Sequence, residues 1–195
     1  MTIAILSALP QEQEGLVHAM RGAEGVAHAG RRFWRGRLHG HEVVCALSGI
    51  GKVAAATTAA ALIERFGVRR IVFTGVAGGV GEGVQVGDVV IASDYLQHDL
   101  DASPLFPRWE MPGYGRTRLA CDAAMSGALL AAAQACVAGD TAALRARHAL
   151  HPPRVHCGLI ASGDQFVGTA AASRALAQGL RAAGHEVLAV EMEGA

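Results

Sequence analysis

The sequence has few charged residues, few aromatic residues and no excess of either sign of charge. Charged residues make up 17% of the chain, aromatic residues make up 5%, and the formal net charge is zero. Proteins that bind nucleic acid or anionic membranes usually carry a basic excess, so this balance argues against both kinds of partner. Apolar residues make up 51%, which is typical of a compact folded protein. We expect residues 1–195 to form a single domain.

Targeting, membrane-spanning and metal-binding signals are also absent from the sequence. No apolar run reaches the roughly 18–20 residues that cross a bilayer, and Pro10 follows the first apolar segment too early for a signal peptide. The cysteines form no CxxC pair and have no zinc-like spacing with a histidine. We therefore expect a cytoplasmic protein without metal or cofactor, in which four thiols are reduced and mostly buried: Cys45, Cys121, Cys136 and Cys157.

Short apolar segments alternate with alanine-rich segments along the chain. The apolar segments predict strands within 2–8, 33–38, 42–48, 69–79, 83–99, 156–168 and 186–193. The other segments predict helices at 10–20, 52–67, 121–138 and 169–184. This alternation predicts an α/β fold around a parallel or mixed sheet. Residues 97–120 are irregular, and loops of that length are usually functional or at an interface.

Polar or glycine-rich residues follow most of the predicted strands. Ligands bind beyond the carboxyl ends of strands in open α/β sheets, so these segments predict a small-molecule site. None of them matches the GxGxxG or P-loop pattern, which argues against a dinucleotide or triphosphate. The segments are SALPQE (7–12), LSGIGK (47–52), FTGVAGG (73–79), SGDQF (162–166) and VEMEGA (190–195).

Three glutamates in these segments are candidates for chemistry. Glu12 lies in the first turn of a predicted helix, where it either complements the helix dipole or serves as a general base. Glu191 and Glu193 are two residues apart, and an extended strand would present both on one face. Buried acids need hydrogen-bond donors, which the hydroxyls of a sugar supply. The alternative is a solvated strand end.

Taken in order, several segments resemble the 5′-methylthioadenosine/S-adenosylhomocysteine nucleosidase family of the nucleoside phosphorylase superfamily. The resemblance implies a three-layer α/β fold whose central mixed sheet, partly closed as a barrel, is wrapped by helices. It implies a homodimer that hydrolyses the bond between adenine and a 5′-thio-substituted ribose in methionine salvage. The matching segments are ALPQE (8–12), LSGIGKVAAA (47–56), TGVAGG (74–79), VGDVV (86–90), SGDQFV (162–167) and VEMEGA (190–195).

The resemblance also implies roles for individual residues. Glu12 would activate the attacking water, and Glu193 would hold the ribose hydroxyls with support from Glu191. Phe166 and the Val167 backbone would hold adenine. The other substrate contacts would come from Leu9, Ile50, Ala77, Gly78 and Met192.

Hydrolysis fits the residues better than phosphorolysis does. The phosphorylases of this superfamily carry phosphate-binding arginines after the first strand and before the glycine turn. Here those positions hold Glu12 and Phe73, while Arg69 and Arg70 begin their strand. The alternatives are a hydrolase or phosphorylase of another purine nucleoside or nucleotide, such as futalosine or AMP, and a protein that binds a nucleoside without turnover.

Three features depart from the family pattern. Val76 stands where many members have a serine, and residues 101–116 differ where the 5′-substituent and the dimer partner would meet. The family's proton-donating aspartate lies in a later Ser-Asp motif. We expect that the chain lacks this aspartate together with the family's C-terminal strand and helix, and that it is poorly active or unstable alone.

Overall fold

The computed structural model describes residues 2–139 and 151–195. They form two compact units. Unit 1 comprises the chain up to Val76 together with Met192–Gly194, and unit 2 comprises Ala77–Glu191 and Ala195. Each unit is built on one five-stranded sheet.

The sheet of unit 1 is mixed, with its parallel strands at one side. Its spatial order is β2-β3-β4-β1-β5, in which β1 runs parallel to β4 and β5, and β3 runs antiparallel to β2 and β4. The strands predicted at 33–38 and 42–48 are therefore confirmed as the antiparallel neighbours β3 and β4, and β2 is an additional edge strand. The strands are β1 (Ile3–Ser7), β2 (Arg21–His28), β3 (Arg31–Leu38), β4 (His41–Leu47) and β5 (Arg70–Phe73).

The helices of unit 1 differ from the prediction at one place. Instead of one helix over 10–20, two short helices form, α1 (Pro10–Gln13) and α2 (Leu16–Ala19). Gly15 separates them with a φ of 86°, a left-handed conformation that ends a helix. The predicted alanine-rich helix is confirmed as α3 (Lys52–Phe66), and its Leu62 packs in the core with Phe33 and Val44 of the sheet.

The sheet of unit 2 is also mixed. Its order is β6-β10-β9-β7-β8, in which the central β9 runs parallel to both β7 and β10, and each edge strand is antiparallel to its neighbour. Leu96, Leu159 and Leu180 form its core with smaller side chains. The elements are β6 (Gly78–Gly79), β7 (Val89–Gln97), β8 (Leu119–Ala120), α4 (Ala123–Gly139), β9 (Val155–Ser162), α5 (Ala170–Ala182) and β10 (Val187–Glu191).

The α/β fold with mixed sheets is confirmed, although the strands are divided between two sheets. In the part of the chain that is described, the outer strands of each sheet do not pair with each other, so neither sheet closes into a barrel. After β7 ends at Gln97, the irregular segment up to residue 120 holds only an isolated bridge between Met111 and Arg116 and the two residues of β8. Across residues 2–139 and 151–195, every helix is too short or too polar to span a bilayer.

The four cysteines are free thiols, but the expectation that most are buried is wrong. Cys45 is buried in β4 and Cys121 is half-buried, whereas Cys136 and Cys157 are exposed. Cys136 lies on α4, which buries none of its side chains completely. Cys157 lies in the first half of β9, which is less covered than the second half.

Candidate functional site

The carboxylate of Glu12 is held by backbone N–H groups from two parts of unit 1. Its Oε2 accepts hydrogen bonds from Ala8 N and Leu9 N, each at 2.9 Å, and its Oε1 accepts one from Val76 N at 2.9 Å. The bond from Leu9 N caps the start of α1, as a glutamate at the third helical position often does. The bond from Val76 goes beyond capping, because it joins the carboxylate to the segment after β5.

Glu12 keeps capacity for one further hydrogen bond. A carboxylate offers about four acceptor positions, and the three N–H donors described above fill three of them. Oε2 accepts two of these bonds and Oε1 accepts one. The remaining position is therefore on Oε1, where an attacking water could donate.

Gly75 provides the space that Oε1 occupies. A Cβ placed on Gly75 would lie 2.7 Å from Glu12 Oε1, closer than a side chain tolerates. The glycine is needed for this close approach of the carboxylate. The small residues of TGVAGG indicate such an approach, but the sequence alone does not reveal that Gly75 and the N–H of Val76 belong to the site.

Glu193 lies near the start of α3 in unit 1. Its Oε1 accepts a hydrogen bond from Gly51 N at 2.9 Å, and Gly51 directly precedes α3. A carboxylate is favoured at the N-terminus of a helix of this length, because unpaired N–H groups point toward it. Glu193 Oε2 also accepts a longer bond of 3.3 Å from Met192 N.

The carboxyl ends of three neighbouring strands of unit 1 bring these segments to one edge of the sheet. Ser48 N donates to Ser7 O at 2.8 Å just after β4 and β1, and Thr74 N donates to Leu6 O at 2.9 Å just after β5. The turn with Gly51, the turn with Glu12 and the turn with Val76 therefore follow adjacent parallel strands. Two expected substrate contacts belong to the same turns and are accessible, Leu9 at 40% and Ile50 at 58% exposure.

Glu191 belongs to unit 2 and has different partners. Its Oε1 accepts a hydrogen bond from the hydroxyl of Ser162, which is completely buried at the end of β9. Burial raises the pKa of the Tyr95 phenol, and the charge of Glu191 raises this pKa further. The sequence alone reveals neither Ser162 nor Tyr95 as a neighbour of Glu191, although Ser162 opens the SGDQF segment.

The expectation that Glu191 and Glu193 share one face of a strand is wrong. The strand β10 ends at Glu191, so the alternation of side chains does not continue to Glu193. Glu193 instead follows a bend and bonds Gly51, as described above.

The residues of unit 2 that are predicted to contact the purine are mostly exposed. Phe166 is 85% exposed, with its ring beside Gly168, and Val167 is half-buried. Ala77 is exposed, and Gly78 pairs with Val190 of β10. Binding of a purine by these residues stays a prediction.

A second group of ionisable residues in unit 2 lies at the other ends of the strands. The buried carboxylate of Asp88 accepts hydrogen bonds from His156 Nε2 and Arg154 N, each at 2.8 Å, and from Gln85 N at 3.0 Å. Burial alone would raise the pKa of Asp88, but these bonds outweigh it and lower the pKa below its ordinary value. The group joins the beginnings of β7 and β9, so its role is structural.

Among the residues that the structure describes, His, Cys, Asp and Glu side chains form no group of three or more that could hold a metal ion.

Comparison with known proteins agrees with the fold. The family model described as the phosphorylase superfamily matches residues 2–195. The chain is 35% identical, over all of its 195 residues and 77% of the relative, to the 5′-methylthioadenosine/S-adenosylhomocysteine nucleosidase of Aeromonas salmonicida.

Two solved structures are also similar. The first is the 5′-methylthioadenosine/S-adenosylhomocysteine nucleosidase of Neisseria meningitidis in complex with methylthio-immucillin-A. It superposes with a TM-score of 0.81 and 34% identity, covering 99% of this chain and 76% of that one. The second is the S-adenosylhomocysteine nucleosidase of Streptococcus pyogenes in complex with 5-methylthiotubericidin. It gives a TM-score of 0.79 and 31% identity, covering 100% and 74%.

An α/β fold with acids beyond the carboxyl ends of parallel strands is typical of an enzyme that acts on a small molecule. The family model, the relative and the solved structures described above identify the particular family of enzymes. The chain belongs to the 5′-methylthioadenosine/S-adenosylhomocysteine nucleosidase family of the phosphorylase superfamily.

Proposed function

We propose that the protein is a hydrolase that cleaves the N-glycosidic bond of 5′-methylthioadenosine and S-adenosylhomocysteine and releases adenine. The relatives described above carry the names of nucleosidases for these substrates. The observation that carries the proposal is the Glu12 carboxylate, which is fixed by three backbone N–H groups and keeps an acceptor position on Oε1. Methionine salvage is the context that fits this reaction.

Glu12 and Glu193 would contribute to the reaction in different ways. Cleavage of a glycosidic bond passes through an oxocarbenium-like state, in which C1′ of the ribose carries positive charge. A water bound to Glu12 Oε1 would attack C1′ and give up its proton to the carboxylate, while the bond from C1′ to adenine breaks and its electron pair leaves with the base. The departing base takes up one proton to become neutral adenine, and Glu12 returns the proton that it accepted to the solvent, so the protons balance. Glu193 would accept hydrogen bonds from the ribose hydroxyls, and its negative charge would stabilise the transition state more than the neutral substrate.

The remaining roles rest on the resemblance of the motifs to the family. We propose that Phe166 and the Val167 backbone hold adenine, that Met192 packs against the sugar and that Glu191 supports the ribose-binding acid. Leu9, Ile50, Ala77 and Gly78 would add contacts to the substrate. A homodimer in the cytoplasm and a single nucleosidase domain over residues 1–195 are proposed on the same ground.

The geometry of unit 1 favours water over phosphate as the nucleophile. Arg70 begins β5 and pairs with Ile3, so it lies at the amino end of the strand, whereas Val76 and Glu12 lie beyond its carboxyl end. The carboxylate of Glu12 would repel a phosphate bound beside it. Phosphorolysis of a purine nucleoside or nucleotide, including futalosine or AMP, therefore has less support.

The test is a product analysis with and without phosphate. Purified protein is incubated with 5′-methylthioadenosine in a phosphate-free buffer, and adenine and 5-methylthioribose are quantified by chromatography. We expect equal amounts of the two products, formed at a rate that added phosphate does not increase. A strict requirement for phosphate, with a sugar phosphate as product, would contradict hydrolysis. Futalosine and AMP serve as comparison substrates.

A further inference from the structure

The segment Gln97–Asp99 runs beside the segment Ser162–Asp164 in unit 2. The parallel strands β7 and β9 pair up to Gln97 and Ser162, and His98 N extends this pairing by donating to Ser162 O at 2.9 Å. The residues just past the two strands therefore lie side by side. Gly163 N also donates to Glu191 O at 3.1 Å, which joins the same segment to β10.

The imidazole of His98 lies directly against Gly163. A Cβ placed on Gly163 would be 2.3 Å from His98 Nε2 and 2.4 Å from Cε1, and His98 is only 7% exposed. Gly163 does not have a positive φ, so the backbone conformation does not require glycine here. What requires glycine is the space that the buried ring occupies.

The carboxylate of Asp99 fixes the next residue of the same segment. Its Oδ2 accepts a hydrogen bond from Asp164 N at 2.7 Å, the short distance expected when the acceptor is charged. Asp164 is exposed, so its N–H would bond to water if the carboxylate of Asp99 did not accept this bond.

Trp109 anchors the segment that carries His98 and Asp99. Its indole Nε1 donates to His98 O at 3.0 Å, and its own backbone N donates to Leu100 O at 3.0 Å. The Trp109 ring packs against the core that contains Leu96 and Leu159. Through Trp109, the segment with His98 and Asp99 is thus attached to the packed core of unit 2.

Gly163 and Asp164, which contact His98 and Asp99, come just before Phe166 in the chain. This side chain is 85% exposed and has little packing of its own, so its position depends on the backbone that precedes it. We infer that His98 and Asp99 are positioning residues for the loop 163–167, and that they pre-organise it for binding the purine. The inference rests on the proposed function, which assigns Phe166 and Val167 to adenine. Ordering the loop before binding improves affinity because less conformational entropy is lost when the purine binds.

The first test measures the affinity for adenine, by calorimetry, in variants of Asp99. Asp99→Ala removes the acceptor for Asp164 N, and we expect the Kd of adenine to rise about tenfold or more. Asp99→Asn keeps a neutral acceptor oxygen and should recover part of the affinity. The matched control is Asp122→Ala, because exposed Asp122 also accepts a hydrogen bond from a backbone N–H, that of Met125 at 2.9 Å, and lies outside the segments assigned to the substrate. That control should bind adenine like the wild type.

Kinetics with 5′-methylthioadenosine separate positioning from a general loss of structure. The Asp99 variants should raise KM by about the same factor as the Kd, with a smaller change in kcat, because the lost contact aids binding rather than the chemical step. Unchanged Kd and KM in Asp99→Ala would overturn the inference while leaving the proposed function intact. A wild-type protein that binds adenine but does not release it from the nucleoside would overturn the proposed function only. A wild-type protein that binds no adenine would overturn the inference.

A double-mutant cycle tests the contact between Gly163 and His98. Gly163→Ala alone should weaken adenine binding, since its Cβ would collide with the imidazole. In Gly163→Ala combined with His98→Ala this collision is gone, so the double variant should bind adenine better than the two single effects predict together. Additive effects would contradict the inference. Because the cycle uses no Asp99 variant, it still tests the inference if Asp99→Ala fails to fold.

Discussion

Glu12 Oε1 accepts a hydrogen bond of 2.9 Å from the backbone N–H of Val76, which lies 64 residues further along the chain. The bond can form because β1 and β5 are parallel neighbours whose carboxyl ends lie together. The orientation of the proposed base therefore depends on the docking of β5 as well as on the helix that carries Glu12.

Glu12→Gln should abolish turnover and preserve nucleoside binding. The amide cannot accept the proton of the attacking water, and loss of a general base typically lowers kcat by about 10²–10⁴-fold. Release of adenine is followed by chromatography, and binding of 5′-methylthioadenosine is followed by calorimetry. Exposed Glu14, two residues further on, provides the control Glu14→Gln, which should have wild-type activity. Adenine release by Glu12→Gln at the wild-type rate would show that another group is the base.

Gly75→Ala should lower kcat without a comparable loss of stability. The new Cβ would lie 2.7 Å from Glu12 Oε1 and displace the carboxylate from its position. Misplacement of a catalytic group by about 1 Å can cost about 10²-fold in rate. Turnover and thermal unfolding are measured together, so that a defect confined to the site is recognised.

The control for this substitution is Gly179→Ala in α5. No atom lies within 4 Å of a Cβ at Gly179, and alanine favours a helix, so the variant should be active and slightly more stable. Wild-type kcat in Gly75→Ala would mean that the close approach of Glu12 to Gly75 has no role in catalysis.

The sequence predicts elements whose signals are local. Helix α3 follows from its alanine-rich pattern and ends at Gly67, where φ is 63° and the N–H bonds back to Ile63 O. Edge strand β2 is not recognisable, because only Val26 among its eight residues is even half-buried. A strand at the edge of a sheet with such exposure shows little of the apolar alternation that reveals strands.

The candidate site, like the fold, is only partly predictable from the sequence. Glu12 and Glu193 are identifiable because Glu12 follows a predicted strand, Glu193 ends one, and both lie in family motifs. Their fixing partners, Val76 and Gly51, contribute only backbone N–H groups, which any residue but proline supplies. The partners of Glu191 and Glu193 also depend on where β10 ends, and strand boundaries are poorly encoded in sequence.

The thiols should differ sharply in reactivity. At pH 8 a thiol reagent such as Ellman's reagent should modify exposed Cys136 and Cys157 quickly and spare Cys45. Burial raises the pKa of Cys45 to about 11, so its reactive thiolate is scarce as well as inaccessible. Mass spectrometry after timed labelling identifies the modified residues, and denaturant should expose Cys45. Fast labelling of Cys45 in the folded protein would contradict its position in β4.

Asp88→Asn should destabilise the protein at neutral pH by about 2 kcal/mol, since it replaces a buried charged acceptor of hydrogen bonds. The pKa of Asp88 is lowered in the folded state from an ordinary value of about 3.9. The stabilisation is therefore present well above the ordinary pKa. It declines as the pH approaches that value, because the unfolded chain takes up the proton first, and it is lost as the pH falls through the folded-state pKa.

The measurement is urea unfolding of wild type and Asp88→Asn between pH 7 and the lowest pH at which both remain folded. The difference in the free energy of unfolding should shrink as the pH falls below about 4, where the unfolded chain takes up the proton on Asp88. Exposed Glu82 provides the control Glu82→Gln, which removes a similar charge without a buried partner and should have little effect. A difference that grows as the pH falls would mean that the folded protein favours the protonated form of Asp88.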